Sequence, residues 1–301
     1  MGSLARAITV GLGVAFTIAA CGGAGTGGGG TATPTPQQTA AAKPTFDAQS
    51  FMYAIQVKGK IRIGTQENNP PFSVKSPVTS KWEGFDADIG RELAKGIFGA
   101  SEDPEKYIEW VPVTSPTRIP TLTEGKADVI IKTFTITAER KTQIDFSDVY
   151  FQTGQRILVK KANDTIKEVA DLNGKTFCAQ RGTTSEQNVI KAAPQAKFFP
   201  AGSYPECLLA LNQGSIDAVS TDETILFGLV QQDANTKIVG KYFSEEPYGI
   251  GVKKNEGGDR TGFVPFLNTW IGRIIQDGTW AKLYEKHITP VSGDKKTKPT
   301  G

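Results

Sequence analysis

A chain of 301 residues has room for one large domain or two modest ones. Its formal net charge is +3, 22% of its residues are charged and no basic block or stripe stands out, which argues against nucleic acid as the main partner. Hydrophobic residues supply 38%, enough for cores, yet no apolar run beyond the N-terminus reaches the roughly 18 residues that a membrane span needs.

Residues 1–20 place Arg6 ahead of an apolar run that ends at Ala20. That length suits the core of a signal peptide better than a bilayer crossing. The run closes Ile18-Ala19-Ala20-Cys21, which resembles the bacterial lipoprotein box. The resemblance implies cleavage before Cys21 and lipidation of its thiol; an ordinary secretory signal with an incidental cysteine is the alternative. From Gly22 to Thr45 the chain carries almost no charge and almost no large side chain. Such a stretch buries too little apolar area to offset the entropy of ordering, so a flexible tether is expected from position 21 to about 55. Its glycines lead into no Gly-Lys-Ser/Thr and form no phosphate loop. Of the three cysteines, Cys178 and Cys207 remain as an even pair in an exported chain. A disulfide is the expected state, with two buried free thiols as the alternative.

From about Gln56 to Pro290, short apolar strands alternate with amphipathic helices. Ile61 and Ile63 alternate with charge, a strand signal. Asp86 then opens a helix with Ile89, Leu93 and Ile97 on one face. Asp86 and Asp88 are expected to cap that helix rather than to form a paired acid site. Residues 107–113 read as a strand, Ile119 and Leu122 as a short helix, and 129–131 as a compact buried strand. The second half repeats the style, with strands at 156–160 and 176–180, a helix carrying Leu208, Leu209 and Leu211, a strand at 216–220 and a helix over 224–230. Strands alternating with helices predict an α/β fold with mostly parallel pairing.

An internal echo divides this body. Leu122, Gly125 and Asp128, followed by Val129-Ile130, recur 89 residues later as Leu211, Gly214 and Asp217, followed by Ala218-Val219. In each copy leucine ends a helix, glycine suits a left-handed cap and aspartate precedes a strand. The interval is too long for a solenoid repeat and fits two similar lobes. Ligands of open α/β sheets sit beyond the carboxyl ends of strands. Shortly past each repeated aspartate lie Thr133 and Asp222. The stretch Thr133 to Arg140, the pair Thr221-Asp222, and Arg181-Gly182-Thr183-Thr184 together offer an arginine fork, hydroxyls, helix-start N–H groups and a carboxylate. That set matches a free amino acid: arginine for the α-carboxylate, helix-start N–H groups for the same anion, and Asp222 for the α-ammonium.

Motifs spread along the chain carry a family resemblance: NNPPF at 68–72, EGFDADI at 83–89, RIPTL at 118–122, FTITAERK at 134–141, IDFSDVYF at 144–151, DLNGKTF at 171–177 and FSEEPYGIGVKK at 243–254. With these the chain resembles the solute-binding proteins of amino-acid ABC importers, over about residues 56–290. The stretch from Ser203 to Gly228, with Cys178 upstream, is similar to glutamate-binding members from actinobacteria. The resemblance implies two Rossmann-like α/β lobes joined by a two-strand hinge, the type II periplasmic binding protein arrangement. Residues 56–150 plus 248–290 would form one lobe, 151–247 the other, and 291–301 a tail. Crossings are expected near Asp148–Gly154 and Glu246–Gly249. Carried over by position, Arg140 and Thr135 would hold the α-carboxylate, with Thr183 and Thr184 completing it from the other lobe. The Thr133 backbone and Asp222 would take the ammonium. Phe72 would cover the apolar stem, with Phe134 and Gly182 in the same shell. Arg118 would read the ligand side chain, with Arg181 and Gln66 next; family members often place an aspartate near position 66.

The resemblance implies a lipid-anchored, monomeric receptor on the outer face of the cell membrane, working with a permease and needing no cofactor or metal. Glutamate is the expected ligand; glutamine, aspartate and asparagine are the alternatives, as is a sensor subunit for a membrane kinase. The fold also supports a few dehydratases. Here, however, His287 is the only histidine, near the C-terminus, and no Gly-x-Ser-x-Gly elbow or HExxH is present, so no catalysis is expected.

Overall fold

A computed structural model describes residues 43–99 and 103–299. The expected signal peptide at 1–20, Cys21 and most of the tether lie outside the described residues. Helix α1 (Phe51–Lys58) comes first, then strand β1 (Ile61–Thr65). The Ser50 hydroxyl caps α1 by accepting the Tyr53 N–H, and Phe51, Met52 and Ile55 are buried. The tether expected to reach about 55 therefore gives way to helix sooner. Phe51 meets Phe263 edge-on at 4.9 Å, an apolar anchor that the Gly- and Thr-rich stretch lacks.

Strands β2 (Asn68–Asn69), β3 (Ser73–Lys75) and β4 (Trp82–Glu83) form a small antiparallel sheet. Next come α2 (Phe85–Phe98), β5 (Ile108–Pro112), α3 (Arg118–Thr123), β6 (Val129–Ile130), α4 (Ala138–Gln143) and the long β7 (Ile144–Lys160). Then follow β8 (Thr176–Gln180), α5 (Thr184–Ala192), β9 (Lys197–Ala201), α6 (Tyr204–Gln213), β10 (Ala218–Asp222), α7 (Glu223–Gln232) and β11 (Thr236–Val239). Strand β12 (Glu245–Lys253) leads into α8 (Phe263–Gln276), α9 (Thr279–His287) and α10 (Thr289–Ser292).

The main sheet runs β5-β1-β6-β12-β7-β10-β8-β9, with β11 also on β7. On one side β1 pairs in parallel with β5 and β6. On the other β8 pairs in parallel with β10 and β9. Between them β7 and β12 run antiparallel, from Ile144 opposite Lys253 to Gly154 opposite Glu245. Beyond Gly154, β7 turns its edges to β10 and β11. Two α/β lobes joined by two crossing strands result, the type II periplasmic binding protein-like fold. In sequence β7 looks like two pieces, because Gly154 interrupts it and most of its residues are buried, which erases the alternation. The glycine answers a close approach: a Cβ there would lie 2.4 Å from the Tyr242 ring. Gly228 in α7 has the same use, since a Cβ there would lie 2.6 Å from the Pro70 carbonyl oxygen of the opposite lobe.

The internal echo has a physical meaning. Gly125 and Gly214 both adopt left-handed φ, 68° and 76°, where their helices end. Asp128 then accepts the Arg62 N–H at 2.8 Å, and Asp217 accepts the Thr176 N–H at 2.7 Å. Each aspartate thus satisfies the backbone of a neighbouring parallel strand and fixes the register of the strand that reaches the site. Cys178 in β8 and Cys207 in α6 are bonded to each other and fully buried, which removes the free-thiol alternative.

Candidate functional site

The chain leaving β6 passes through Thr133, whose φ of 39° is unusual for a non-glycine residue. Asp86 holds it there. One carboxylate oxygen accepts the Thr133 N–H at 2.9 Å, the other the Tyr150 hydroxyl at 2.9 Å. Asp86 therefore does not cap α2, as the sequence suggested; Gly84 occupies the cap position. Burial pushes the Asp86 carboxyl up to about 7. Asp88 is not a cap either. It gathers Arg91, Lys286 and His287 at 2.6–2.8 Å. Burial raises its carboxyl, but those three donors together outweigh burial and hold it below the usual carboxylate range.

Two guanidinium groups share the face of Phe134, Arg118 at 4.2 Å and Arg140 at 5.0 Å from the ring centroid. Arg140 also donates to the Thr135 carbonyl at 2.6 Å. Arg118 is 2% exposed and spends its donors on backbone: Ser115 at 3.1 Å, then Lys132, Thr133 and Gly182 carbonyls at 3.4 Å. Burial and the neighbouring Arg140 charge lower its pKa well below the ordinary value.

From the other lobe, β10 ends at Asp222. Its side chain makes no helix-cap bond. One oxygen accepts the Tyr248 hydroxyl, and the other is buried without a partner. Burial, reinforced by the Glu246 charge, pushes this carboxyl up to about 8. Thr183 caps α5 by accepting the Glu186 N–H at 3.2 Å. The Thr135 and Thr184 hydroxyls, one from each lobe, both donate to Glu246 at 2.7 Å.

These groups surround one small cavity of about 10 Å³. Among the expected ligand residues, Arg118, Thr133, Thr135, Arg140, Thr183, Thr184 and Asp222 line it. Phe134 stands behind them under the two guanidiniums, and Gly182 takes part through its carbonyl. Three expectations part from the geometry. Phe72 is fully buried among Phe85, Phe151 and Tyr248, a core position that does not border the cavity. Arg181 is exposed and borders a separate depression beside Pro116 and Pro200. Gln66 is buried, reaching the Asn68 carbonyl at 3.4 Å, and is not part of the lining.

Lys132, Ser185, Tyr204 and Ile225 line the cavity without having been singled out from sequence. Lys132 had a readable signal: a lysine directly after a fully buried apolar strand, beside Thr133. Tyr204 and Ile225 sit in ordinary helical apolar positions and carry no such mark. Among the described residues no group of three or more His, Cys, Asp or Glu could hold a metal ion. The arrangement offers cations and hydroxyls on one wall and a carboxylate with a free oxygen on another. That is chemistry for holding a small zwitterion.

The ABC transporter glutamine-binding protein GlnH of Bacillus subtilis (strain 168) is 40% identical to this chain over 236 residues, 78% of this chain and 83% of that protein. Glutamate-binding protein GluB of Corynebacterium glutamicum is 32% identical over 247 residues, 79% and 81%. The solved structure of the ancestral amino acid-binding protein AncCDT-1, a precursor of cyclohexadienyl dehydratase, is 36% identical, covers 79% of this chain and 100% of its own, and superposes with a TM-score of 0.71. Residues 61–290 match the signature of the bacterial extracellular solute-binding proteins, family 3, and the chain belongs to that family.

Proposed function

We propose that the protein is an extracytoplasmic, lipid-anchored receptor that binds glutamate between its lobes and delivers it to an ABC importer. One observation carries the reading: Arg140 and Asp222, from opposite lobes, border a single cavity, and Arg118 and Lys132 add two more cations to its wall. Arg140 would hold the α-carboxylate, with the Thr135, Thr183 and Thr184 groups around it. The unpartnered oxygen of Asp222 would take the ammonium. Three lining cations face one lining carboxylate, so a neutral zwitterion leaves the excess positive charge unchanged and a second ligand carboxylate reduces it. Asp86 and Glu246 stand behind the wall with their oxygens already hydrogen-bonded. Residues 56–150 with 248–290 and residues 151–247 would close as two bodies about β7 and β12. Closure would desolvate both clamps and strengthen them. Lipidation of Cys21 would supply the anchor.

Likeness to a glutamine-binding relative favours glutamine as the second reading. Calorimetry with glutamate, aspartate, glutamine and asparagine separates the two. Glutamate is expected to bind tightest, at micromolar affinity or better, about −8 kcal/mol. Glutamine binding as well as glutamate, or better, overturns the acidic reading.

A further inference from the structure

We propose that Lys132, not Arg118, reads the ligand's side chain, its ammonium donating to a terminal carboxylate oxygen at the seam between the lobes. The inference rests on the receptor reading above and assigns the part of the cavity that the α-group clamps leave over.

Elimination among the lining cations leads there. Arg140 lies beside Thr135, where the α-carboxylate is placed. Arg118 has its Nε and both terminal nitrogens turned to backbone carbonyls and its face on Phe134, so it acts as a frame for the loop around Thr133. Lys132 is different. It is 2% exposed, lines the cavity, and its hydrogen-bond partners are uncharged. The ammonium donates to the Ser115 hydroxyl at 2.8 Å and reaches Gln180 Oε1 only at 3.5 Å. A buried ammonium without an anionic partner is costly to keep, and a ligand carboxylate relieves that cost. Burial and the Arg118 charge lower its pKa well below the ordinary value, the direction expected of a cation awaiting a counter-charge.

Its neighbours extend the same recognition. Ser115 donates to Gln180 Oε1 at 2.7 Å, and the Gln180 amide nitrogen is buried without an acceptor. Lys132 and Ser115 come from the first lobe, whereas Gln180 ends β8 of the second. A carboxylate on the Lys132 ammonium thus sits beside a hydrogen-bonded contact between the lobes, so side-chain recognition and closure reinforce each other. An apolar side chain leaves the Lys132 ammonium without a counter-charge, a basis for strong rejection.

The test is calorimetry of wild type, Lys132→Met and Asp222→Asn with glutamate and with norvaline, a ligand of the same chain length lacking the terminal carboxylate. Thermal unfolding of each variant checks the fold. Lys132→Met is expected to weaken glutamate by about 100-fold and to change norvaline by less than about 3-fold. Asp222→Asn is expected to weaken both. An unchanged glutamate-to-norvaline ratio in Lys132→Met, with Asp222→Asn still disabling binding, overturns the Lys132 assignment and leaves the receptor reading standing. Glutamate binding retained in Asp222→Asn overturns the assignment of the ammonium to Asp222, and no glutamate binding by the wild type overturns the receptor reading itself. Should Lys132→Met fail to fold, the wild type decides alone: norvaline bound as tightly as glutamate overturns the proposal, and clear preference for glutamate over both norvaline and glutamine supports it.

Discussion

Replacing Asp222 by asparagine is expected to lower amino-acid affinity by about three orders of magnitude while leaving the fold intact or slightly more stable. The carboxylate is 4% exposed, and one of its oxygens has no partner. Truncating one member of a desolvated charge pair costs about 2–5 kcal/mol or more, because the other charge stays buried and unpaired. On the proposed assignment the partner is the ligand ammonium. Asparagine keeps an oxygen for the Tyr248 hydroxyl but loses the charge. In the ligand-free protein the same change removes a buried acid whose ionised form burial and the Glu246 charge disfavour, so it costs the fold little. Calorimetry and thermal unfolding read the two halves separately. Retained affinity shows that the ammonium is held elsewhere; collapse of the fold shows that Asp222 is a structural residue.

The same carboxyl sets a pH dependence in which binding and stability move oppositely. Its pKa in the folded protein is raised to about 8 by burial and by Glu246, against an unfolded value of about 3.9. Protonation of Asp222 therefore favours the ligand-free fold. That contribution is fully present below about pH 4 and is lost as pH rises through about 8. On the proposed assignment, ligand binding needs the ionised form. Affinity is expected to rise by up to about tenfold per unit between pH 6 and 8 and to level off above. Asp86, raised to about 7, acts on stability in the same direction but does not line the cavity. In Asp222→Asn the stability slope is thus expected to persist in part. Calorimetry at pH 6, 7 and 8 measures the binding slope in the wild type, and a flat wild-type profile contradicts the assignment of the ammonium to Asp222.

Local rules made much of the fold readable. Gly125 and Gly214 end helices because only glycine adopts that φ without strain, and the aspartate that follows each has one local task, so the pattern repeated visibly. The loop from Thr133 to Arg140 stood out by its place at a strand end and by the family motif, and in the structure Thr137 caps α4 by accepting the Arg140 N–H. What stayed hidden depends on long-range packing. Asp86 at a helix start looks like a cap, and only the approach of Thr133 and Tyr150 gives it another use. Phe72 is apolar whether it faces a ligand or a core; the rings of Phe85, Phe151 and Tyr248 decide. Glu246 reads as a hinge residue, yet it ties Thr135 to Thr184 across 111 and 62 residues of sequence. Sequence ranks Arg118 ahead of Arg181 for the ligand side chain without showing that one is buried and the other exposed.

The Cys178–Cys207 bond is expected to carry about 3–4 kcal/mol of stability, and its loss to spare the clamps directly. It closes a separation of 29 residues, and on the chain-entropy account a loop of that size restricts the unfolded ensemble by about that amount. Both sulfurs are fully buried, between β8 and α6. In the double variant Cys178→Ala, Cys207→Ala, the removed sulfur volume is expected to add a modest packing loss. For a protein of this size the melting temperature should fall by about 10 °C. Arg140, Thr135 and Asp222 lie on other elements, so affinity well below the melting range should change little. One route links the bond to the site: Tyr204 lines the cavity from the first turn of the same helix that Cys207 pins to the sheet. If loosening α6 moves Tyr204, affinity drops along with stability, and a further Tyr204→Phe change shows whether the hydroxyl or the helix position is responsible. Denaturant unfolding of the oxidised, reduced and double-alanine proteins measures the first effect, and equal midpoints for all three show that the crosslink restrains nothing the rest of the fold does not already hold.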